Sequence, residues 1–239
     1  MECWAAILGD CDDIPSREHY ISDSIFEGET ITAFGLPWCN DKPISIGLGA
    51  ATAKILCRKH NQALSDFDNE ASKLSKFITL NIFDRPLVDD TTELNGRIIE
   101  KWSLKTLFNL GWLGALDRPS FTRLTPPRPI VECLFSGAHV PEGAGLYLVS
   151  GGLTNENYKT GLAWGSVRNH QTQKVLGMTF TFNGLRFVVS LLPTPGEEKI
   201  RMNGVVDGFD YGSANVTYRP RNITFGSNTA GRKIINLVW

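Results

Sequence analysis

The sequence predicts an α+β protein with two unlike halves. Three observations carry this expectation. The chain opens on a loop-rich stretch that holds most of its cysteines, its middle places apolar residues at helical spacing, and its second half is a succession of short β-like runs. Between the halves, Asp117 to Pro129 carries prolines at 119, 126, 127 and 129, and proline at that density blocks helices and central strands alike. The expected division is an N-terminal domain with a helical extension at 1–115, a linker at 116–130 and a β-rich domain at 131–239.

Residues 1–62 are expected to be loops with short strands, at Thr30 to Phe34 and at Lys54 to Cys57. From Ser65 the pattern changes. Leu64, Phe67, Ala71, Leu74 and Ile78 recur at three- and four-residue steps, which marks one face of an amphipathic helix, and Ser65 with Asp68 three residues later resembles a capping box. A second helix is expected from about Thr92 to Leu110, with Leu94, Ile98 and Trp102 on one face. Beyond the prolines, Gly145 to Ser150, Thr160 to Val167, Val175 to Phe182, Leu185 to Leu192 and Asn215 to Tyr218 read as strands of a mostly antiparallel sheet or sandwich. Asn183-Gly184 is the two-residue turn of a hairpin, because both residues tolerate positive φ. Cys133, in the run Ile130 to Phe135, is expected in the core on a strand.

A chain of 239 residues can bury a sizeable core. With 42% hydrophobic and 21% charged residues, its composition is that of an ordinary globular protein. A net charge of −1 gives nucleic acid no bulk attraction, so any such binding needs a local basic patch. Five cysteines at irregular spacings fit a reducing compartment better than a disulfide framework. The start has no basic-then-apolar signal segment and no apolar run reaches the ~20 residues of a membrane helix. A cytoplasmic protein with no membrane contact is expected.

The chemistry-bearing residues lie in the first third. Cys57 and His60 have the C-x2-H spacing of two ligands of one tetrahedral zinc. Cys3 and Cys11 are the natural second pair, with Cys39 as a competing ligand and packing as a small buried hydrophobe as the alternative role for Cys3 and Cys39. So short a region of regular structure has reason to use a metal staple. Upstream, Glu18-His19 sets a carboxylate beside an imidazole. Histidine changes charge near neutral pH and suits general-base work, while a divalent cation held by a carboxylate and an amide oxygen could neutralise a phosphate. In an extended segment, neighbours point to opposite faces, so this pair shares a site only through a bend or the reach of a metal.

These residues resemble the HNH (ββα-metal, treble-clef) nuclease family of the zinc-stapled type. The likeness rests on Cys3 and Cys11, on Ser-Arg-Glu-His-Tyr-Ile-Ser at 16–22, on Cys-Arg-Lys-His-Asn at 57–61 and on the helix opening at 64–71, and it covers roughly residues 1–80. The resemblance implies a treble-clef fold and a metal-dependent endonuclease that hydrolyses phosphodiester bonds in DNA. His19 would be the base that activates water, and Cys3, Cys11, Cys57 and His60 would hold the structural Zn2+. Glu18 and Asn61 would sit at a catalytic Mg2+ or Mn2+, or Asn61 would orient His19. The chain departs from the family pattern in its stretched first knuckle, in His60 where a cysteine is more frequent, and in the lack of a histidine on the following helix. Asp66, Asp68 or Glu70 would have to supply the last metal contact. A non-catalytic zinc-stapled module that binds nucleic acid or protein, with a degenerate site, is the alternative.

Arg17, Lys54, Arg58 and Lys59 flank the expected site and Lys73 and Lys76 follow on the helix, a local basic surface that phosphate contacts could use. In the second half, His139 and His170 are isolated. Trp164, Phe180, Phe182, Phe187, Phe209, Tyr211 and Tyr218 read as sheet and core aromatics. Asp207, Gly208, Asp210 and Gly212 read as turn residues. This half is expected to recognise a partner, a substrate or a second copy of the chain.

Overall fold

The computed structural model describes residues 2–82, 90–118, 120–150, 161–169, 171–182, 184–192, 205–206, 209–210, 215–227 and 231–239. The N-terminal part is built on strand β1 (Pro15–His19), the short strands β2 (Thr30–Ala33) and β3 (Ile44–Gly47), and strand β4 (Thr52–Cys57), followed by helices α1 (Arg58–Ala63) and α2 (Ser65–Ile82). β1 and β4 pair antiparallel, from Pro15 opposite Cys57 to His19 opposite Thr52. β2 and β3 form a separate antiparallel pair in the long connection between them. The register of β1 and β4 shifts between Ser16 and Glu18, a bulge that puts Lys54 and Ile55 of β4 opposite the single residue Arg17 of β1.

The helical stripe read from the sequence is the buried face of α2. Leu64, Phe67, Ala71, Leu74 and Ile78 are all buried. The capping box does not form. The Ser65 hydroxyl donates to the carbonyl of Gln62 at 2.9 Å instead, because α2 follows α1 after the single residue Leu64 and has little free N-terminus to cap.

The second helix starts later than its periodicity suggested. Strand β5 (Asp90–Asn95) comes first and pairs parallel with the last strand of the chain, and helix α3 (Gly96–Trp112) follows. Asn95 caps α3, its side-chain oxygen accepting from the amide of Ile98 at 3.2 Å. Leu94 therefore belongs to a strand. A partner some 140 residues downstream outweighed the local helical spacing, and no local pattern could reveal it.

α3 lies at the centre of the molecule. Ile99, Trp102, Leu104, Leu107, Phe108 and Leu110 are at most 2% exposed, and so are Glu100, Lys105 and Asn109 between them, so the helix is buried on most sides. One side packs on α2 and the other on the C-terminal strands. The proline-rich stretch is tied down rather than loose: the amide of Leu124 donates to Gly111 and the Arg168 guanidinium pairs with Asp117 at 2.7 Å. Helix α4 (Arg128–Phe135) begins inside that stretch, with Pro129 in its first turn where a missing N–H costs nothing. Cys133 is thus a buried residue on a helix, not on a strand.

The C-terminal half contains β6 (Gly145–Ser150), β7 (Leu162–Arg168), β8 (Val175–Phe182), β9 (Leu185–Ser190), β10 (Val205–Val206), β11 (Phe209–Asp210), β12 (Asn215–Tyr218), β13 (Asn222–Ser227) and β14 (Gly231–Val238). A five-stranded antiparallel sheet has the order β12-β6-β9-β8-β7, and β13-β14-β5 forms a second sheet. The hairpin joins Phe182 to Leu185 in register, with Gly184 at φ +88; Asn183 lies outside the described residues. The turn residues Asp207, Gly208 and Gly212, the aromatic Tyr211 and His170 also lie outside them. Phe180 and Phe182 pack against Trp102 of α3 at 6.0 and 5.5 Å between ring centres. Glu100 of α3 anchors the sheet, accepting from the Leu146 amide at 3.0 Å and pairing with Arg219 at 2.9 Å. One hydrophobic core therefore runs through both halves. No helix among the described residues is long and apolar enough to cross a membrane.

Candidate metal centre and the buried lysine beside it

Three separate stretches of chain meet at the N-terminal corner. The amide of Trp4 donates to Ile55 of β4 at 3.0 Å, which brings Cys3 beside the end of that strand. Asp12 ties the next loop to α1. One of its oxygens accepts from the Ile14 amide at 3.2 Å, and the other meets the Lys59 amide and the Arg58 guanidinium, each at 3.2 Å. Cys57 caps α1 and His60 lies one turn on, so Cys57 and His60 face the two loop cysteines.

The result is a four-ligand cluster. The sulfurs of Cys57, Cys3 and Cys11 lie 3.1, 3.5 and 3.7 Å from Nδ1 of His60. All four ligand atoms lie within 4.8 Å of one another. Ligands about 2.0–2.3 Å from a tetrahedral ion stand roughly 3.6 Å apart, so the spacing suits a metal such as zinc. Without a cation, burial followed by the neighbouring Cys3 pushes the Cys11 thiol up to about 12, and burial also raises Cys3. A divalent ion reverses that balance by binding the thiolates. Cys39 is buried elsewhere in the core and does not belong to the cluster.

One partner of this cluster has no counterpart in the sequence reading. Asp10 Oδ1 lies 3.0 Å from Nε2 of His60 and its other oxygen pairs with Lys59. Lys59, and then His60, hold the Asp10 carboxyl below its ordinary range. A carboxylate on the outer ring nitrogen fixes the tautomer and turns Nδ1 toward the sulfurs. The signal was present in the acids that flank Cys11.

The residues expected at a catalytic divalent ion are distributed differently. Glu18 is 4% exposed and points inward, where Lys105 of α3 meets it at 2.7 Å. The same ammonium touches both carboxylate oxygens of Asp68, at 2.9 and 2.8 Å. Asn109 donates to Glu18 at 3.3 Å and to the carbonyl of His19 at 3.2 Å, and accepts from the Trp4 indole at 2.9 Å. Ser22 donates to Asp68 and accepts from the Trp102 indole at 2.9 Å. Burial raises the Glu18 carboxyl above its usual value, while Lys105 pulls it the other way. Lys105 and Asn109 were not singled out from sequence; their place among Leu104, Leu107, Phe108 and Leu110 was the available clue.

Asn61 turns to β1, its amide donating to Ser16 Oγ at 2.8 Å and to the Arg17 carbonyl at 3.1 Å. It does not meet Glu18. Glu70 is committed to structure, accepting from the Asn95 amide at 2.7 Å and pairing with Lys73 at 2.8 Å, and Asp66 is exposed on the first turn of α2. A divalent ion shared by Glu18 and Asn61, with help from Asp68 or Glu70, does not fit these residues, since each carboxylate already has a cationic partner in the chain.

His19 stands on the other face of β1. Its side chain is 30% exposed, but its Nε2 is itself buried, without a hydrogen-bond partner among the described residues, and Oδ2 of Asp23 is 3.8 Å away. Arg17 and Lys54 are exposed on the paired strands, whereas Arg58 and Lys59 spend their charge on Asp12 and Asp10. No family model, curated protein or solved structure matches this chain.

Proposed function

We propose that this chain is a zinc-stapled phosphodiester hydrolase of the HNH type that acts on DNA, with His19 as the base that activates water. The observation that carries the reading is the way the metal corner and Asn61 together grip β1. Cys57 and His60 sit at the turn from β4 into α1, and the next residue, Asn61, hydrogen-bonds β1 two positions before His19. A zinc ion at Cys3, Cys11, Cys57 and His60 supplies rigidity and takes no part in the reaction.

In this reading, His19 accepts a proton from a water whose oxygen bonds to phosphorus. The bond to the leaving sugar oxygen breaks, and that oxygen takes a proton from solvent. Asp23 stabilises the imidazolium that forms. Arg17 lies two residues before His19 on the same face, and Arg17 with Lys54 can offset phosphate charge.

A second reading is a non-catalytic zinc-stapled module that binds nucleic acid. The occupation of Glu18 and Asp68 by Lys105 favours it, since a carboxylate pair so engaged holds no catalytic ion. Nicking of supercoiled plasmid by the zinc-loaded protein separates the two. The hydrolase reading expects cleavage that disappears in His19→Ala while zinc content and near-ultraviolet circular dichroism stay unchanged. Gel retardation of DNA without cleavage under any divalent ion, and no difference between His19→Ala and the parent, would establish the binding module instead.

A further inference from the structure

The position between Glu18 and Asp68 has the make-up of a cation site. Two carboxylates from separate elements, β1 and α2, converge on one point. Three of their oxygens lie 2.7, 2.8 and 2.9 Å from Nζ of Lys105. An ammonium has three N–H donors, and these three oxygens take all of them. The lysine is 2% exposed and reaches the point from the central helix. The surrounding polar groups are engaged with one another: Asn109 with Glu18 and Trp4, Ser22 with Asp68 and Trp102.

We infer that the Lys105 ammonium is the resident cation of the Glu18–Asp68 pair and takes the place of a divalent metal there. The physical reason is competition for the same oxygens. Mg2+ demands near-octahedral oxygen coordination and keeps several waters, and Ca2+ takes six to eight oxygens. The pair offers too few free oxygens for either, and a metal that entered would leave a buried ammonium with no counter-charge. The chain thus couples β1, α2 and α3 through an internal cation that no chelator removes. The inference deepens the reading of the hydrolase site, and it rests on that reading only for the choice of site, since its readout is ion binding.

The test is a Mn2+ titration of the full zinc-loaded chain, followed by the electron paramagnetic resonance signal of free Mn2+. Wild type is expected to take up no stoichiometric Mn2+. Lys105→Ala is expected to gain one Mn2+ per chain, at least about tenfold tighter than anything wild type shows, because two carboxylates are left without a cation. Adding Glu18→Gln and Asp68→Asn to Lys105→Ala should remove that site again. A wild-type protein that binds one Mn2+, lost in Glu18→Gln, overturns the inference, as does a folded Lys105→Ala that binds none. Should Lys105→Ala fail to fold, Lys105→Met keeps most of the stem volume. Its melting temperature should then rise with Mn2+ while that of wild type does not, and a Met variant that Mn2+ leaves unmoved is equally fatal. Loss of plasmid cleavage would count against the hydrolase and leave these binding results unchanged.

Discussion

The two charged clusters of the N-terminal region differ in where their cation comes from. At the corner, three sulfurs and an imidazole gather with no cationic side chain among them. Beside α3, two carboxylates gather around an ammonium that belongs to the chain itself. The first cluster could hold a metal ion and the second already has its cation, although the sequence offered both as metal sites. What decides between them is whether a distant element delivers a positive charge to the same point.

The largest effect should come from emptying the corner. Cys57→Ala, or a strong chelator, should remove one zinc per chain and abolish the cooperative unfolding of the N-terminal region, since structural zinc contributes folding free energy on the order of 10 kcal/mol. Metal analysis with thermal unfolding measures this. Unchanged unfolding in the chelated protein would mean the corner is not a staple. The lysine cluster should ignore the chelator and respond to Lys105→Met, with a loss of about 3–5 kcal/mol in urea unfolding, the usual cost of stranding a buried charge.

That loss should also acquire a pH dependence. Burial raises the folded Glu18 carboxyl above its usual value, and without Lys105 only the hydrogen bond from Asn109 opposes the rise. The folded state then holds a proton that the unfolded chain releases, so the variant should be most stable below about 4.5 and weaken as pH climbs through the folded value. A variant whose stability instead grew with pH across that range would contradict the assignment. The smallest effect concerns the outer carboxylate. Asp10→Asn should keep the fold and lower zinc affinity roughly 10–100-fold, read by competition with a chromophoric chelator. An unchanged affinity would reduce Asp10 to a surface partner of Lys59.

How much of this was legible depended on the range of the interactions. The α2 stripe from Leu64 to Ile78 and the β8–β9 hairpin were readable because helical and strand periodicities and turn residues act over a few positions. The cluster Cys3, Cys11, Cys57 and His60 was readable because metal-binding side chains have few other uses in such spacing. Thr92–Asn95 was misread as helix because its strand identity depends on β14. Cys133 was misread as strand because the apolar run Ile130 to Phe135 is too short for periodicity to choose.

The sequence by itself determined the α+β class, the β-rich second half, the principal helix of the first half and the four residues of the corner cluster that could hold a metal. Each follows from local spacing or from side-chain chemistry with one dominant use. Only the tertiary structure decided that Glu18 and His19, adjacent in the chain, belong to different places. Strand geometry sends them to opposite faces of β1, and α3 brings Lys105 to one face while His19 stays partly exposed on the other. A carboxylate is a metal ligand or half of an ion pair according to what packs against it, and for Glu18 that partner lies 87 residues further along the chain.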